Sequence, residues 1–202
     1  MNDIVKEKPS FLPFPLKDFT AYSASISSTV QVIGKGAYGS VYIASHNNQL
    51  VALKKINKSK DGFSKSVIRE IMILQRLNHK NIVNLIDINS PKDKDFIFMI
   101  FEFCDHDLRG LLESNVTFTL PQIKYYLYSV LSAIAYCHEH DIIHRDIKAA
   151  NILINNNGSV KLADFGLARY KNIHQQYTNH VVTLRYRAPE LLLGSINYTN
   201  AI

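Results

Sequence analysis

The sequence is poor in cysteine, with Cys104 and Cys137 the only two among 202 residues. Two thiols supply neither a disulfide framework nor a metal-ligand set, and a reducing compartment is the natural expectation. Long apolar runs are also missing. Residues 1–8 hold no apolar stretch of signal length, and no later run is long enough to span a bilayer, so no membrane partner is expected. Acidic residues are the minority, 17 against 23 Lys and Arg, giving a formal charge of +6 and a pI near 9.2. No RNA- or DNA-binding signature accompanies that excess, so direct nucleic-acid contact is not expected. A positive field around phosphorylated or acidic groups accounts for it equally well. What remains, 47% hydrophobic and 20% charged residues, suits a globular domain with a substantial core.

One stretch organises the rest: His144-Arg145-Asp146-Ile147-Lys148-Ala149-Ala150-Asn151, with Asp164-Phe165-Gly166 close behind. A periodic run over residues 125–138 precedes it, and hydrophobic Ile152-Leu153-Ile154 separates its halves. A loop carrying Asp, Lys and Asn, then a hairpin, then a second Asp is what phosphoryl transfer needs. One carboxylate orients the attacking hydroxyl and one holds Mg²⁺. An amide supports a second metal, and an ammonium neutralises the moving phosphoryl group. On these motifs the sequence resembles the eukaryotic protein kinases.

Gly34-Lys35-Gly36-Ala37-Tyr38-Gly39-Ser40-Val41 lies between strand-like residues 29–33 and 41–44. Strands on both sides argue for a phosphate-covering hairpin and against a Rossmann turn or Walker loop, which lead into a helix. Its glycines admit close backbone approach, although an ordinary glycine turn reads the same way. Residues 51–54 form the next expected strand. The resemblance places the nucleotide lysine at Lys54, with Lys55 a solvated neighbour. Over residues 64–77, Val67, Ile71, Leu74 and Leu77 recur at helical spacing. Glu70 among them would alone be a solvated surface group. The resemblance makes it the ion-pair partner of Lys54, whose closure gates activity.

Further strands are expected over residues 78–88 and 96–101. Phe101-Glu102-Phe103-Cys104 then resembles the hinge between two lobes. Phe101 takes the gatekeeper place, backbone groups at Glu102 and Cys104 meet the adenine edge, and Asp107 lies near the ribose. Cys104 reads as a small apolar contact, not a reactive thiol. Ile33, Val41, Ala52 and Leu153 complete the implied nucleotide site. A helix over residues 121–140, with Ile123, Leu127, Val130, Leu131, Ile134 and Cys137, is expected as core scaffold below the catalytic loop.

The stretch Gly62-Phe63-Ser64-Lys65-Ser66-Val67-Ile68-Arg69-Glu70 resembles the cyclin-docking signature of cyclin-dependent kinases. The likeness is greatest to the branch that phosphorylates the C-terminal repeat domain of RNA polymerase II. Ser64-Lys65 departs from the Pro-Ile of that branch, leaving the cyclin open and the helix start less sharply set. The resemblance implies ATP and Mg²⁺, with Asp146 orienting the substrate hydroxyl and Lys148 contacting the transferred phosphoryl group. Asn151 and Asp164 would hold the metal. His144 is a tempting base by composition, but the family gives it a packing role with Phe165, with Leu74 and Leu85 in the same stack.

Thr178, in Tyr177-Thr178-Asn179, falls on the activating phosphorylation position, with Arg69, Arg145 and Arg169 as implied phosphate partners. Val181, Val182 and Arg187 match the wall that selects proline after the target residue. Arg185 stands where the subfamily carries tryptophan. Ala37 stands where a phosphorylated threonine is common, which leaves Tyr38 as the inhibitory candidate in that loop.

The resemblance covers about residues 29–200 and implies an α+β, bilobal, protein-kinase-like fold. After an irregular leader, residues 1–28, a β-rich N-lobe with one main helix is expected over 29–101 and a hinge over 102–107. Residues 108–202 would form a mainly helical C-lobe that is incomplete, with an exposed apolar underside and Glu190 lacking its arginine partner. The implied function is a nuclear, cyclin-dependent serine/threonine kinase. Its partners would be a cyclin-like subunit and Ser/Thr-Pro substrates, the polymerase tail among them. A cell-cycle member of the same family and a non-catalytic cyclin-binding module remain open at this point.

Overall fold

Alternation along β3 (Gln49–Asn57) sets the first layer: Val51 and Leu53 are buried on one face, while Ala52, Lys54 and the buried Ile56 take the other. The computed structural model describes residues 31–36, 39–46, 49–91, 94–171, 176–179 and 181–202. The leader, together with Ala37 and Tyr38, lies outside the described residues. β1 (Gln31–Gly36) and β2 (Gly39–His46) form the expected hairpin, with Gly36 opposite Gly39. β4 (Leu85–Asn89) and β5 (Phe96–Glu102) complete an antiparallel sheet in the order β1-β2-β3-β5-β4. The register sets Lys54 between Val41 on β2 and Met99 on β5. Lys55 is less solvated than expected, its Nζ lying 4.2 Å above the Phe96 ring.

Residues 78–84 are not strand. Polar side chains there satisfy backbone groups locally: the Asn81 N–H donates to His79 Nδ1 at 3.1 Å. The segment instead reaches the other lobe. Its bonds meet β9 (Val160–Leu162), through Leu162 N–H to Asn81 O at 2.8 Å and Val83 N–H to Leu162 O at 2.9 Å.

α1 (Lys65–Leu74) packs against the sheet through Val67, Ile71, Ile73 and Leu74, while Ile68 and Met72 stay exposed. Its start is set by a polar cap in place of proline: Ser64 Oγ accepts from the Val67 N–H at 3.4 Å. The second lobe holds β6 (His106–Asp107), α2 (Leu108–Glu113), α3 (Leu120–Glu139) and β7 (Ile142–Ile143). β8 (Ile152–Ile154), β10 (Arg169–Tyr170) and α4 (Pro189–Leu192) follow. Its strands make two small sheets, β6-β8-β9 and β10-β7. The architecture is the expected bilobal α+β one. Among the described residues no helix is long and apolar enough to cross a membrane.

α3 departs from expectation. Ile123, Leu127 and Leu131 are 49%, 58% and 54% exposed, and the buried stripe is Ser129, Val130, Ala133 and Cys137. The helix carries two apolar stripes, and periodicity alone does not say which faces the core. The main core runs through both lobes, joining Ile73 and Met99 above to Phe165, Leu162 and Ile142 below. Each such side chain contributes about 1.5–3 kcal/mol by leaving water. Apolar side chains of both lobes therefore back the space between them.

Candidate active site

That space is a cleft of about 780 Å³, a size suited to a nucleotide-scale ligand. Val41, Ala52, Lys54 and Glu70 line it from the sheet side, and Phe101 to Asp107 form its back wall. Asp146, Lys148, Leu153 and Asp164 line the opposite side, and Val181, Val182 and Thr183 reach its mouth. The predicted loop residues Ile33, Gly34, Lys35, Gly36, Gly39 and Ser40 are placed by backbone on the β1–β2 hairpin leading to Val41.

The back wall is fastened by side chains. Glu102 Oε1 accepts from Asn84 N–H at 2.7 Å and from Lys161 Nζ at 2.8 Å. Asp107 caps α2 by accepting from the Gly110 N–H at 2.9 Å, in addition to lining the cleft. Burial, seconded by Glu102, pushes the Cys104 thiol up to about 11, so it meets the cleft as a neutral, small contact.

Three predicted residues from three distant segments meet at one charge cluster. Lys54 Nζ lies 2.7 Å from Glu70 Oε1 and 3.4 Å from Asp164 Oδ1. Burial opposes the ammonium, but Glu70 and Asp164 outweigh it, and the lysine is raised above its usual range. Burial pulls the other way on Glu70, lifting its carboxyl against the attraction of Lys54. The 2.7 Å contact, made by a lysine facing two carboxylates, favours the ionised pair.

The catalytic-loop motif forms a second cluster around Asp146, which is buried. Its Oδ2 accepts from Lys148 Nζ at 2.6 Å and from Asn151 Nδ2 at 3.0 Å. Lys148 Nζ also lies 3.5 Å from Thr183 Oγ1, tying the loop to the segment beyond it. His144 lies outside this chemistry. Its Nδ1 accepts from the Asp146 N–H at 3.2 Å, so Nε2 carries the proton donated to Ala163 O at 3.0 Å. Its ring meets Phe165 edge-on at 4.7 Å, as the packing role requires, and burial holds its pKa low. Leu74 and Phe165 share one buried cluster, with Leu85 packed on it. Arg145 and Asp164 take left-handed backbone, at φ 67° and 61°, where non-glycine residues are uncommon.

The donor set fits Mg²⁺. Both bonds of Asn151 use Nδ2, one to Asp146 O at 2.9 Å, and no hydrogen bond among the described residues consumes its Oδ1. Asp164 is half exposed in the cleft and offers hard carboxylate oxygen. Two oxygen donors with room for water and phosphate suit this ion better than an all-protein cage.

Past the cleft, Thr178 is exposed and the predicted arginines are unequally engaged. Arg145 donates through Nε to Leu167 O at 2.8 Å and through Nη1 to Tyr198 Oη at 2.7 Å. Arg169 Nη1 donates to Ala168 O at 3.0 Å. Arg69 Nη1 is buried with no hydrogen-bond partner among the described residues. Burial and the neighbouring Arg145 charge lower the Arg69 pKa. Val182 has φ 64°, and Arg187 donates to Val181 O and Val182 O at 3.0 and 3.2 Å. Arg185 is exposed, and Glu190 has no ion pair among the described residues. Sequence reasoning missed Tyr198 and Lys161, which sit in no motif and acquire partners only through the fold.

Residues 27–202 match the family described as protein kinase domain. The CTD kinase subunit alpha of Schizosaccharomyces pombe is 46% identical over 195 residues, covering 93% of this chain and 32% of that protein. Cyclin-dependent kinase C-2 of Oryza sativa is 46% identical over 195 residues, covering 86% of this chain and 38% of that protein. Cell division control protein 2 homolog 3 of Trypanosoma brucei brucei is 45% identical over 179 residues, covering 86% and 57%. The chain thus spans about a third of the length of the first two relatives. Near-equal identity to differently named kinases does not single out one branch. With the cleft, the charge clusters and a match over residues 27–202 in agreement, the chain belongs to the protein kinase domain family, and the relatives it resembles include proteins named as cyclin-dependent kinases.

Proposed function

We propose that the chain is the catalytic part of a cyclin-dependent serine/threonine kinase that transfers the γ-phosphate of ATP. The observation that carries this is the bridging of Glu70 and Asp164 by Lys54, in the cleft that also holds Asp146 and Lys148. Asp146, held by Lys148 and Asn151, orients the hydroxyl of an incoming serine or threonine. Lys148 contacts the moving phosphoryl group, and Lys54 holds the α and β phosphates. The hinge from Glu102 to Cys104 receives the purine beside Phe101, with Asp107 near the ribose. Asn151 and Asp164 hold Mg²⁺, which supplies neutralisation of phosphate charge when bound. Catalysis is then mainly positioning and electrostatics.

Proline preference follows from the segment at the cleft mouth. Arg187 already donates to the Val181 and Val182 carbonyls, so a substrate N–H placed there would have to compete with a guanidinium for its acceptor. Proline has no N–H to leave unpaired. Exposed Ile68 and Met72 on α1 support docking of a cyclin-like subunit on the helix that carries Glu70. Phosphate on Thr178 pairs with Arg69, Arg145 and Arg169. We take the polymerase tail as substrate and the nucleus as location, on the motif resemblance and on a relative named as a CTD kinase subunit.

The test uses the partner-bound chain with Mg-ATP on three peptides. They are a heptad-repeat tail, a Ser-Pro peptide with a downstream lysine, and the tail with proline replaced by alanine. The first should be preferred and the third nearly inert. Preference for the lysine-bearing peptide would reassign the substrate to cell-cycle control, and indifference to proline would remove the proline-directed reading. Equal rates for the parent and Lys54→Met would end the kinase reading itself.

A further inference from the structure

Tyr198 lies beyond every motif, yet both hydrogen-bonding capacities of its hydroxyl are used. It accepts from Arg145 Nη1 at 2.7 Å and donates to Thr178 O at 2.8 Å. The hydroxyl is thus a bridge from the catalytic loop to the backbone of the residue expected to carry phosphate. The surroundings hold that bridge in place. Tyr198 is 7% exposed, and its ring lies 5.1 Å from that of Tyr177 at 33°. The Tyr177 N–H donates to Ile196 O at 2.9 Å, and Asn179 Nδ2 donates to Gly194 O at 3.2 Å. Residues 177–179 are therefore laid along residues 194–198, and Arg145 meets them through the Tyr198 hydroxyl and, 5.8 Å from its guanidinium, the face of the Tyr177 ring.

We propose that Tyr198 is a positioning residue that holds the unmodified segment at Thr178 in register with Arg145. Arg69 Nη1, buried with no hydrogen-bond partner among the described residues and near enough to Arg145 to feel its charge, would gain an acceptor from a phosphate there. The bridge does its work before phosphorylation; once phosphate is present, charge pairs to the arginines replace it. This role rests on the kinase reading above for its catalytic consequence, but its structural part does not.

Tyr198→Phe keeps the ring and removes the bridge. In the full chain, hydrogen exchange at the Tyr177 amide, which is bonded to Ile196 O, should rise about tenfold, the scale of one hydrogen bond to a charged group. Exchange at Met99 and Ile100 in β5, which lie outside the cluster around Tyr198, should not change. In partner-bound enzyme with Thr178 unmodified, turnover should fall about tenfold, while the phosphorylated forms of parent and variant should agree within about twofold. Unchanged exchange at the Tyr177 amide, or an equal rise in β5, would overturn the proposal. Equal loss of turnover in both phosphorylation states would reduce Tyr198 to a structural role and overturn it likewise. An inactive parent would defeat the kinase reading alone, since the exchange measurement still decides the bridge.

Discussion

Lys54 and Glu70 come from a strand and a helix 16 residues apart in sequence, and their side chains meet at 2.7 Å with only 16% and 3% exposure. Removing one partner from such a pair leaves an uncompensated buried charge. Lys54→Met should abolish phosphotransfer and cost about 3 kcal/mol of stability at pH 7. Burial already raises the Glu70 carboxyl, so an orphaned Glu70 takes up a proton as pH falls. The stability deficit should therefore shrink toward pH 5, and Lys54→Met/Glu70→Gln should recover part of it at pH 7. Denaturant melts at the two pH values check this; a deficit independent of pH would contradict it.

His144 supplies an acid limit. Its folded pKa is held below the ordinary 6.5 by burial, so the neutral ring contributes stability above the unfolded value. That contribution is lost as pH falls from there through the folded pKa. Protonating Nδ1 would also set an N–H against the Asp146 N–H that now donates to it. An imidazole titration by NMR should give a midpoint below 6.5 and a proton on Nε2 at neutral pH. A midpoint above 6.5 would refute the assignment.

The thiols should be slow. Burial pushes Cys104 up to about 11 and Cys137 up to about 12, leaving little thiolate at pH 7.5. Iodoacetamide should label Cys104 well below the rate of a free thiol, and Cys137 only on unfolding. Rapid labelling of Cys104 in the folded chain would show that the hinge thiol is activated.

Burial, not apolar character alone, should decide the cost of substitution. Leu131→Gln, at a site 54% exposed, should change stability by less than about 0.5 kcal/mol. Ile73→Ala on α1, at a fully buried site, should cost about 2–5 kcal/mol. Thermal melts of the two variants distinguish them; comparable losses would place the Leu131 stripe in the core.

That contrast marks the limit of what the sequence made legible. Lys54, Glu70, Asp146, Lys148, Asn151 and Asp164 were readable because phosphoryl-transfer chemistry demands particular side chains at short, fixed spacings. The fold then brings them into the two charge clusters. Leu131 was misplaced because α3 has apolar residues on two stripes and only tertiary packing selects one. The strand expected over residues 78–84 failed for a related reason: Asn81 spends its backbone carbonyl and side-chain amide on the far lobe. Tyr198 carried no local signal at all, since its partners lie 20 and 53 residues away.

The bonds made by Asn81 and Val83 to β9 have a mechanical consequence. Apart from the connecting chain at residues 102–107, they form a second fastening between the lobes. Two fastenings define a line, and turning about that line is the relative motion they restrain least. The Lys54–Asp164 contact crosses between lobes, whereas Lys54 and Glu70 belong to one. Such a turn therefore changes the first distance and leaves the second nearly constant. The cleft is built like a door hung on two pins, with Asp164 on the jamb and Lys54 on the leaf.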